Sequence, residues 1–319
     1  MSVRRRATTE ELLGRARGGE RGALARLIST VERGGEPARE VGRLVYPLAG
    51  GATTVGITGA PGAGKSTLTG ALVGIVRALG EVAVLAIDPS SPFTGGAILG
   101  DRVRMQDHFL DGGVFIRSMA TRGQLGGLSL AAPSAVRVLD AVGFPWVVLE
   151  TVGVGQVEVE VAGAADTTVV VVNPGWGDAV QANKAGLMEI ADIFVINKAD
   201  RKGVESTRRD LEQMLDLSSP SDWSPPILAT VASTGEGVEE LWAEVRRHRE
   251  YLEGSGELAR RRSARLDDEL HRIVVETLHE RAEALWRSSE LSGLRAQLDA
   301  REVDPWQAAE QILGRLSED

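Results

Sequence analysis

The chain has 319 residues with 36 basic and 45 acidic side chains, a formal charge of −9, and a 43% hydrophobic, 25% charged composition. That composition belongs to a globular protein and excludes fibrous or disordered classes. The absence of cysteine excludes a disulfide framework and a thiolate metal site, net acidity disfavours a general nucleic-acid binder, and no apolar run reaches the roughly 18 residues of a membrane span.

Residues 1–50 read as a helical N-terminal extension. Positive charge at Arg4–Arg6 has no apolar stretch behind it, so the start does not read as a secretory signal, and a cytoplasmic protein is expected. Leu24, Leu27, Ile28 and Val31 recur at helical spacing, and Gly34 and Gly35 end that helix. Residues 51–256 alternate short apolar strands, at 54–58, 82–87, 114–116, 146–150, 168–172, 193–196 and 227–230, with helical stretches at 66–79, 135–142, 178–190 and 204–215. The strands are rich in valine and isoleucine and largely non-alternating, as strands covered on both faces are. The fold class expected is therefore α/β, a P-loop nucleotide-binding fold with a mostly parallel central sheet and helical extensions at both ends. In residues 257–319 strands vanish. Leu266, Leu270, Ile273, Val274 and Leu278 follow helical spacing, and Trp286, Leu291, Leu294 and Leu298 extend the apolar content. A long helix with one apolar stripe needs a cover, either the parent domain or a second subunit.

The segment Gly59-Ala60-Pro61-Gly62-Ala63-Gly64-Lys65-Ser66 fits G-x-x-x-x-G-K-S and lies between an expected strand and an expected helix. Its glycines let backbone N–H groups curve around phosphate, Lys65 reaches the β- and γ-phosphates, and Ser66 offers a hydroxyl to Mg²⁺; Thr67 follows on the helix. Asn197, Lys198 and Asp200 form N-K-x-D at the end of another strand. An aspartate can accept from guanine N1–H and its exocyclic amine, groups that adenine lacks, while the asparagine faces the purine edge and the lysine stem lies over the ring. Ala232 and Ser233, in V-A-S-T-G-E-G, resemble a last guanine loop in which Ala232 offers its N–H to the base O6. Asp88 and Glu150 end two strands at the carboxyl edge, where either could hold Mg²⁺ directly or through water, or simply cap a strand. Only four basic residues are lysine, and Lys65, Lys184 and Lys198 of these fall in candidate functional segments; Lys202 does not. Arginine's planar fork does not reproduce a compact ammonium at phosphate.

These segments, together with 86–105 (AIDPSSPFTGGAILGDRVRM), 117–123 (RSMATRG), 150–156 (ETVGVGQ) and 177–186 (GDAVQANKAG), resemble the methylmalonyl-CoA mutase-associated GTPase family of P-loop GTPases. The resemblance covers the whole central domain. It implies a Mg²⁺-dependent GTPase that binds GTP and GDP and gates cofactor loading, protection or reactivation of an adenosylcobalamin-dependent acyl-CoA mutase. It also implies a homodimer formed through the C-terminal helices. Asp88 and Asp101 become acids near Mg²⁺, with Asp101, Arg102 and Arg104 in a first switch. Glu150, Gly153 and Gln156 lie in a second, where Glu150 replaces the aspartate of D-x-x-G, Gly153 senses the γ-phosphate and Gln156 orients water. Asp178 and Lys184 lie in a third, facing the mutase. Trp176 and Val157 depart from the family pattern at positions that could tune partner choice, with Trp176 read equally as a half-buried loop anchor or a contact residue. Three other readings compete: a P-loop kinase associated with basic-amino-acid transport, a GTPase serving another metalloenzyme, and a non-catalytic nucleotide-gated scaffold, against which intact Lys65, Ser66 and Asp88 count. The first does not require N-K-x-D. The second generally needs cysteine or histidine clusters, and this chain has four scattered histidines and no cysteine.

Overall fold

A computed structural model of the chain describes residues 7–88, 108, 110–120, 127–151, 163–175, 189–217, 222–288 and 291–318. Residues 1–265 form one compact unit and residues 266–319 a second.

The first unit begins with three helices, α1 (Thr9–Arg17), α2 (Arg21–Arg33) and α3 (Gly35–Val45). Thr8 and Glu11 close a capping box at the start of α1, each side chain accepting the other's backbone N–H. Gly34, at φ +71°, ends α2 where the sequence places the stop. Seven strands follow: β1 (Thr53–Gly59), β2 (Val82–Asp88), β3 (Val114–Ala120), β4 (Trp146–Thr151), β5 (Thr167–Val172), β6 (Ile193–Asn197) and β7 (Ile227–Thr230). They pair in parallel, in the order β3-β2-β4-β1-β5-β6-β7, so every expected strand is present and all carboxyl ends share one edge.

Side-chain alternation assigns the layers. Val55, Ile57, Val84, Val148, Val169 and Val171 pack with α4 (Lys65–Arg77) and α7 (Val238–Gly254) on one face. Ala83, Leu85, Ile87, Val147 and Leu149 pack on the other with α1, α2, α3 and α5 (Gly127–Val142). The N-terminal stripe Leu24, Leu27, Ile28 and Val31 is buried in that same cluster, so the extension is part of the core of this unit. Beyond β5, Val170, Val172, Phe194 and Ile196 pack with Leu211 of α6 (Val204–Asp216). Helix α5 begins before the expected residue 135 and takes in Pro133; the ring costs one N–H and one carbonyl partner, which packing of Ala135, Val138 and Leu139 offsets. The helix expected at 178–190 lies outside the described residues up to 188.

At the amino edge of the sheet, Asp166 and Asp192 precede β5 and β6. Asp166 accepts from Thr54 N–H and Asp192 from Thr168 N–H. Both carboxylates meet arginines from the first turns of α8 (Glu257–Arg287): Arg261 on Asp192, and Arg262 and Arg265 on Asp166. Arg262 also donates to the carbonyls of Gly50 and Ala52, which tie the N-terminal extension to β1. The fully buried His248 lies beside them, its Nδ1 2.9 Å from Thr167 Oγ1, and burial pushes its pKa below the ordinary value.

In the second unit, Leu291 and Leu294 of the α9 region (helix Ser292–Asp299) pack with Ala308 of α10 (Pro305–Glu318). Leu266, Leu270, Ile273, Val274 and Leu278 of α8 are 41–61% exposed, and Trp286 is 55% exposed. The apolar stripe read from the sequence therefore exists as an exposed face. No helix among the described residues is long and apolar enough to cross a membrane.

Candidate nucleotide site

The site is built where β1, β4 and β6 end. Gly59 leaves β1 at φ +132°, and a Cβ there would lie 2.0 Å from the carbonyl oxygen of Val171 in β5. Only glycine permits that approach. Gly62 and Gly64 also have positive φ, at +71° and +93°, and Gly64 is the residue immediately before α4. Gly64 leads the loop directly into the amino end of α4, whose positive dipole is suited to phosphate. Ala60 is half-buried, Ala63 buried, and Pro61, Gly62 and Thr67 exposed.

Lys65 is 7% exposed and its ammonium donates to the carbonyls of Gly59 (2.7 Å) and Ala60 (3.1 Å). The charge is therefore held over the loop before nucleotide arrives, with its entropy of ordering already spent. Beside it, the Ser66 hydroxyl donates to Oε1 of Glu150, which is fully buried at the end of β4 and in register with Ile57 of β1. A hydroxyl and a carboxylate side by side are the hard oxygen donors that Mg²⁺ takes. Asp88 ends β2 beyond Ile87, which is in register with Thr151, so its backbone stands at the same carboxyl edge. Thr151, immediately after Glu150, donates across to Thr58 Oγ1 at 3.2 Å, joining the strand ends that lead into the P-loop and the expected second switch. Asp101, Arg102, Arg104, Gly153, Gln156, Asp178 and Lys184 lie outside the described residues, as do Val157 and Trp176.

Asn197 and Lys198 of the N-K-x-D segment contact the P-loop at Ala63 and Gly62. Lys198, at φ +61°, donates its ammonium to the Gly62 carbonyl at 2.6 Å, which stretches its stem along the loop. Asp200 is exposed in the following turn, clear of the burial that would hinder a base from reaching it. Asn197 is held by the protein at both ends of its carboxamide. It is 2% exposed, its Nδ2 donates to Ala63 O at 2.8 Å, and its Oδ1 accepts from Thr230 Oγ1 and Ala232 N–H, both at 3.1 Å. Its carboxamide is thus the rivet between the P-loop and the last loop. The Ala232 N–H, the group expected to face the base O6, donates to Asn197 Oδ1 and so ties the last loop to the end of β6. Ser233 beside it is exposed. The sequence reading missed Thr230, although its position two residues before Ala232 at the end of an apolar strand carried the signal.

A family model described as methylmalonyl Co-A mutase-associated GTPase MeaB matches residues 24–286. A protein of Pyrococcus abyssi named as a GTPase is 52% identical over 312 residues, covering 96% of both chains. GTPase ArgK of Escherichia coli is 38% identical, covering 79% of each chain. The mouse mitochondrial methylmalonic aciduria type A homolog is 37% identical over 65% of this chain and 52% of that one. Among solved structures, one titled LAO/AO transport system kinase superposes with a TM-score of 0.72 at 28% identity, covering 99% of this chain and all of that one.

Proposed function

The chain belongs to the methylmalonyl-CoA mutase-associated GTPase family and is a GTP-hydrolysing P-loop enzyme, and from that premise we propose that it uses GTP turnover, with Mg²⁺, to gate cofactor loading, protection or reactivation of an adenosylcobalamin-dependent acyl-CoA mutase. The observation that carries the nucleotide assignment is the convergence of Lys65, the Ser66–Glu150 pair and the Asn197–Lys198–Asp200 segment on one sheet edge. The mutase assignment is supported by the family's description and by the name of the mouse relative.

In this reading the P-loop N–H groups and Lys65 neutralise charge that develops as water attacks the γ-phosphorus and the β–γ bridging oxygen departs with GDP. Ser66, with Glu150 accepting its hydrogen bond, would hold Mg²⁺ together with Asp88 and Asp101, and the ion's chemistry is to polarise the phosphate oxygens. Gly153 and Gln156 belong to the second switch, which senses the γ-phosphate and orients the water. Arg102 and Arg104 of the first switch would act on the phosphates or on the partner, and Asp178 and Lys184 would signal nucleotide state to the mutase. Asp200 reads the guanine edge.

The test compares GTP and ATP turnover, with and without candidate mutases, for the original chain and for Asp200→Asn. GTP preference and stimulation by a mutase are expected. In the variant, GTP binding weakens by about 10- to 100-fold and xanthosine triphosphate becomes the better substrate. Equal use of ATP by the original chain would overturn the base assignment; a rate indifferent to every such mutase would overturn the partner assignment.

The exposed stripe of α8 is assigned to a second copy of the chain, giving a homodimer. Light scattering should return the mass of two chains. A single-chain mass at micromolar concentration would remove this part of the proposal.

A further inference from the structure

One row of side chains crosses the sheet at the root of the P-loop. Register places Met119 of β3, Ile87 of β2, Thr151 of β4, Thr58 of β1, Val170 of β5 and Phe194 of β6 side by side on one face. All six are 0–1% exposed, and the outer four are apolar. Valine has threonine's branched shape without its hydroxyl and would serve apolar packing at both central positions. Instead two hydroxyls are taken out of water and meet each other, Oγ1 to Oγ1, at 3.2 Å. Exchanging water for one neutral partner contributes little net stability. What the pair joins is therefore more telling than what it stabilises.

It joins the two strand ends that carry the site. On its β2 side β4 is paired as far as Ile87–Thr151. On its β1 side the pairing runs to Ile57–Glu150, and the hydroxyl bond carries it one residue further. Thr58 leads directly into Gly59 of the P-loop, and Thr151 directly follows Glu150. Successive strand residues point to opposite faces, so Glu150 meets Ser66 on the α4 face while Thr151 meets Thr58 on the other.

We propose that the Thr58–Thr151 pair is a positioning device for the Mg²⁺ site: it fixes the end of β4 against the end of β1 and so sets the Glu150 carboxylate at the Ser66 hydroxyl. Neither threonine touches nucleotide or ion. This inference rests on the Mg²⁺-dependent reading of the site.

Thr151→Val and Thr58→Val each remove the bond from one strand and keep the branched shape, whereas Thr151→Ser keeps the hydroxyl. The full chain is titrated with Mg²⁺ at fixed GTP, and calorimetrically with GDP in Mg²⁺ and in EDTA. Both valine variants are expected to need about 5- to 10-fold more Mg²⁺ for half-maximal turnover, yet to bind GDP in EDTA within about twofold of the original chain. Thr151→Ser should match the original within about twofold in both measurements. The double valine variant should need no more Mg²⁺ than either single one, because the same bond is lost in all three. Its stability in chemical denaturation should be close to the original, since neither hydroxyl is left without the other; it decides the question if a single variant fails to fold. An unchanged Mg²⁺ requirement in the valine variants overturns the inference. So does a loss of GDP binding in EDTA as large as the rise in Mg²⁺ requirement, which would mark a general disturbance of the P-loop. Impairment of Thr151→Ser equal to that of Thr151→Val overturns it too, as the sign of a packing role. An original chain indifferent to Mg²⁺ in both GDP binding and turnover defeats the Mg²⁺ reading instead, while a Mg²⁺-dependent chain with inert threonines defeats only this inference.

Discussion

Replacing Lys65 with alanine is expected to reduce GTP turnover, measured as phosphate release at saturating and limiting GTP, by at least about 10²- to 10³-fold in kcat/KM. The ammonium is almost fully enclosed and rests on two loop carbonyls, and on the proposed function negative charge grows beside it on the β- and γ-phosphates. Preorganised charge in a water-poor site has a far larger effect than the same charge on a surface. Lys65→Arg should fail nearly as badly, since a planar guanidinium cannot sit between the Gly59 and Ala60 carbonyls on the lysine's path. Neither variant should unfold the chain, because the core beneath the loop is made by Ile57, Leu68 and Leu72. Turnover within tenfold of the original in Lys65→Ala would show that the loop is not the phosphate site.

The second large effect is on stability. Asp166→Ala is expected to cost about 3–5 kcal/mol in chemical denaturation of the full chain. The carboxylate is buried at the amino edge of the sheet, where Oδ2 accepts from Thr54 N–H and Arg262 (2.6 Å) and Oδ1 from Arg262 and Arg265 (2.6 Å). Removing it leaves two arginines, each under one-third exposed, without their anion, and a strand N–H without its acceptor. Burial pushes the Asp166 pKa up, but the hydrogen bond from Arg262 and the charges of Arg265 and Arg262 outweigh it, and the folded value lies below the ordinary 3.8. A depressed folded pKa means that the unfolded chain takes up the proton first. The stabilisation is complete above the ordinary carboxylate range and is lost as pH falls through the folded value. The original chain and the variant should therefore converge in stability near the acid end of the titration. A cost below about 1 kcal/mol at pH 7 would show that the arginines are adequately served by water.

The two effects arise at opposite ends of the same strands, and they differ in how readable they were. The strands themselves were legible because a strand covered on both faces must be a short run of apolar, mostly β-branched residues, as in 168–172 and 193–196. The P-loop was legible because its glycines are demanded by backbone conformation at fixed spacing: Gly59 cannot carry a Cβ beneath Val171 O, and Gly64 cannot beside Asn197. The start of α5 was not legible, since Pro133 is a local stop signal that tertiary packing overrides. The Asp166–Arg262–Arg265 cluster was invisible because its members are about a hundred residues apart and nothing local distinguishes a surface arginine from one lying on a buried carboxylate.

By itself, then, the sequence determined the order and type of the described central strands, the P-loop and the exposed stripe of α8. Each of these is a periodicity or a backbone requirement expressed within a few neighbouring residues. Only the tertiary structure decided the strand order, the burial of the N-terminal helices in the core, the pairing of Ser66 with Glu150, and the use of Asn197 and the Ala232 N–H on one another through Thr230. Those depend on which strand ends become neighbours across the sheet, and on hydrogen-bond capacity that burial forces each group to satisfy with whatever partner the fold brings within reach.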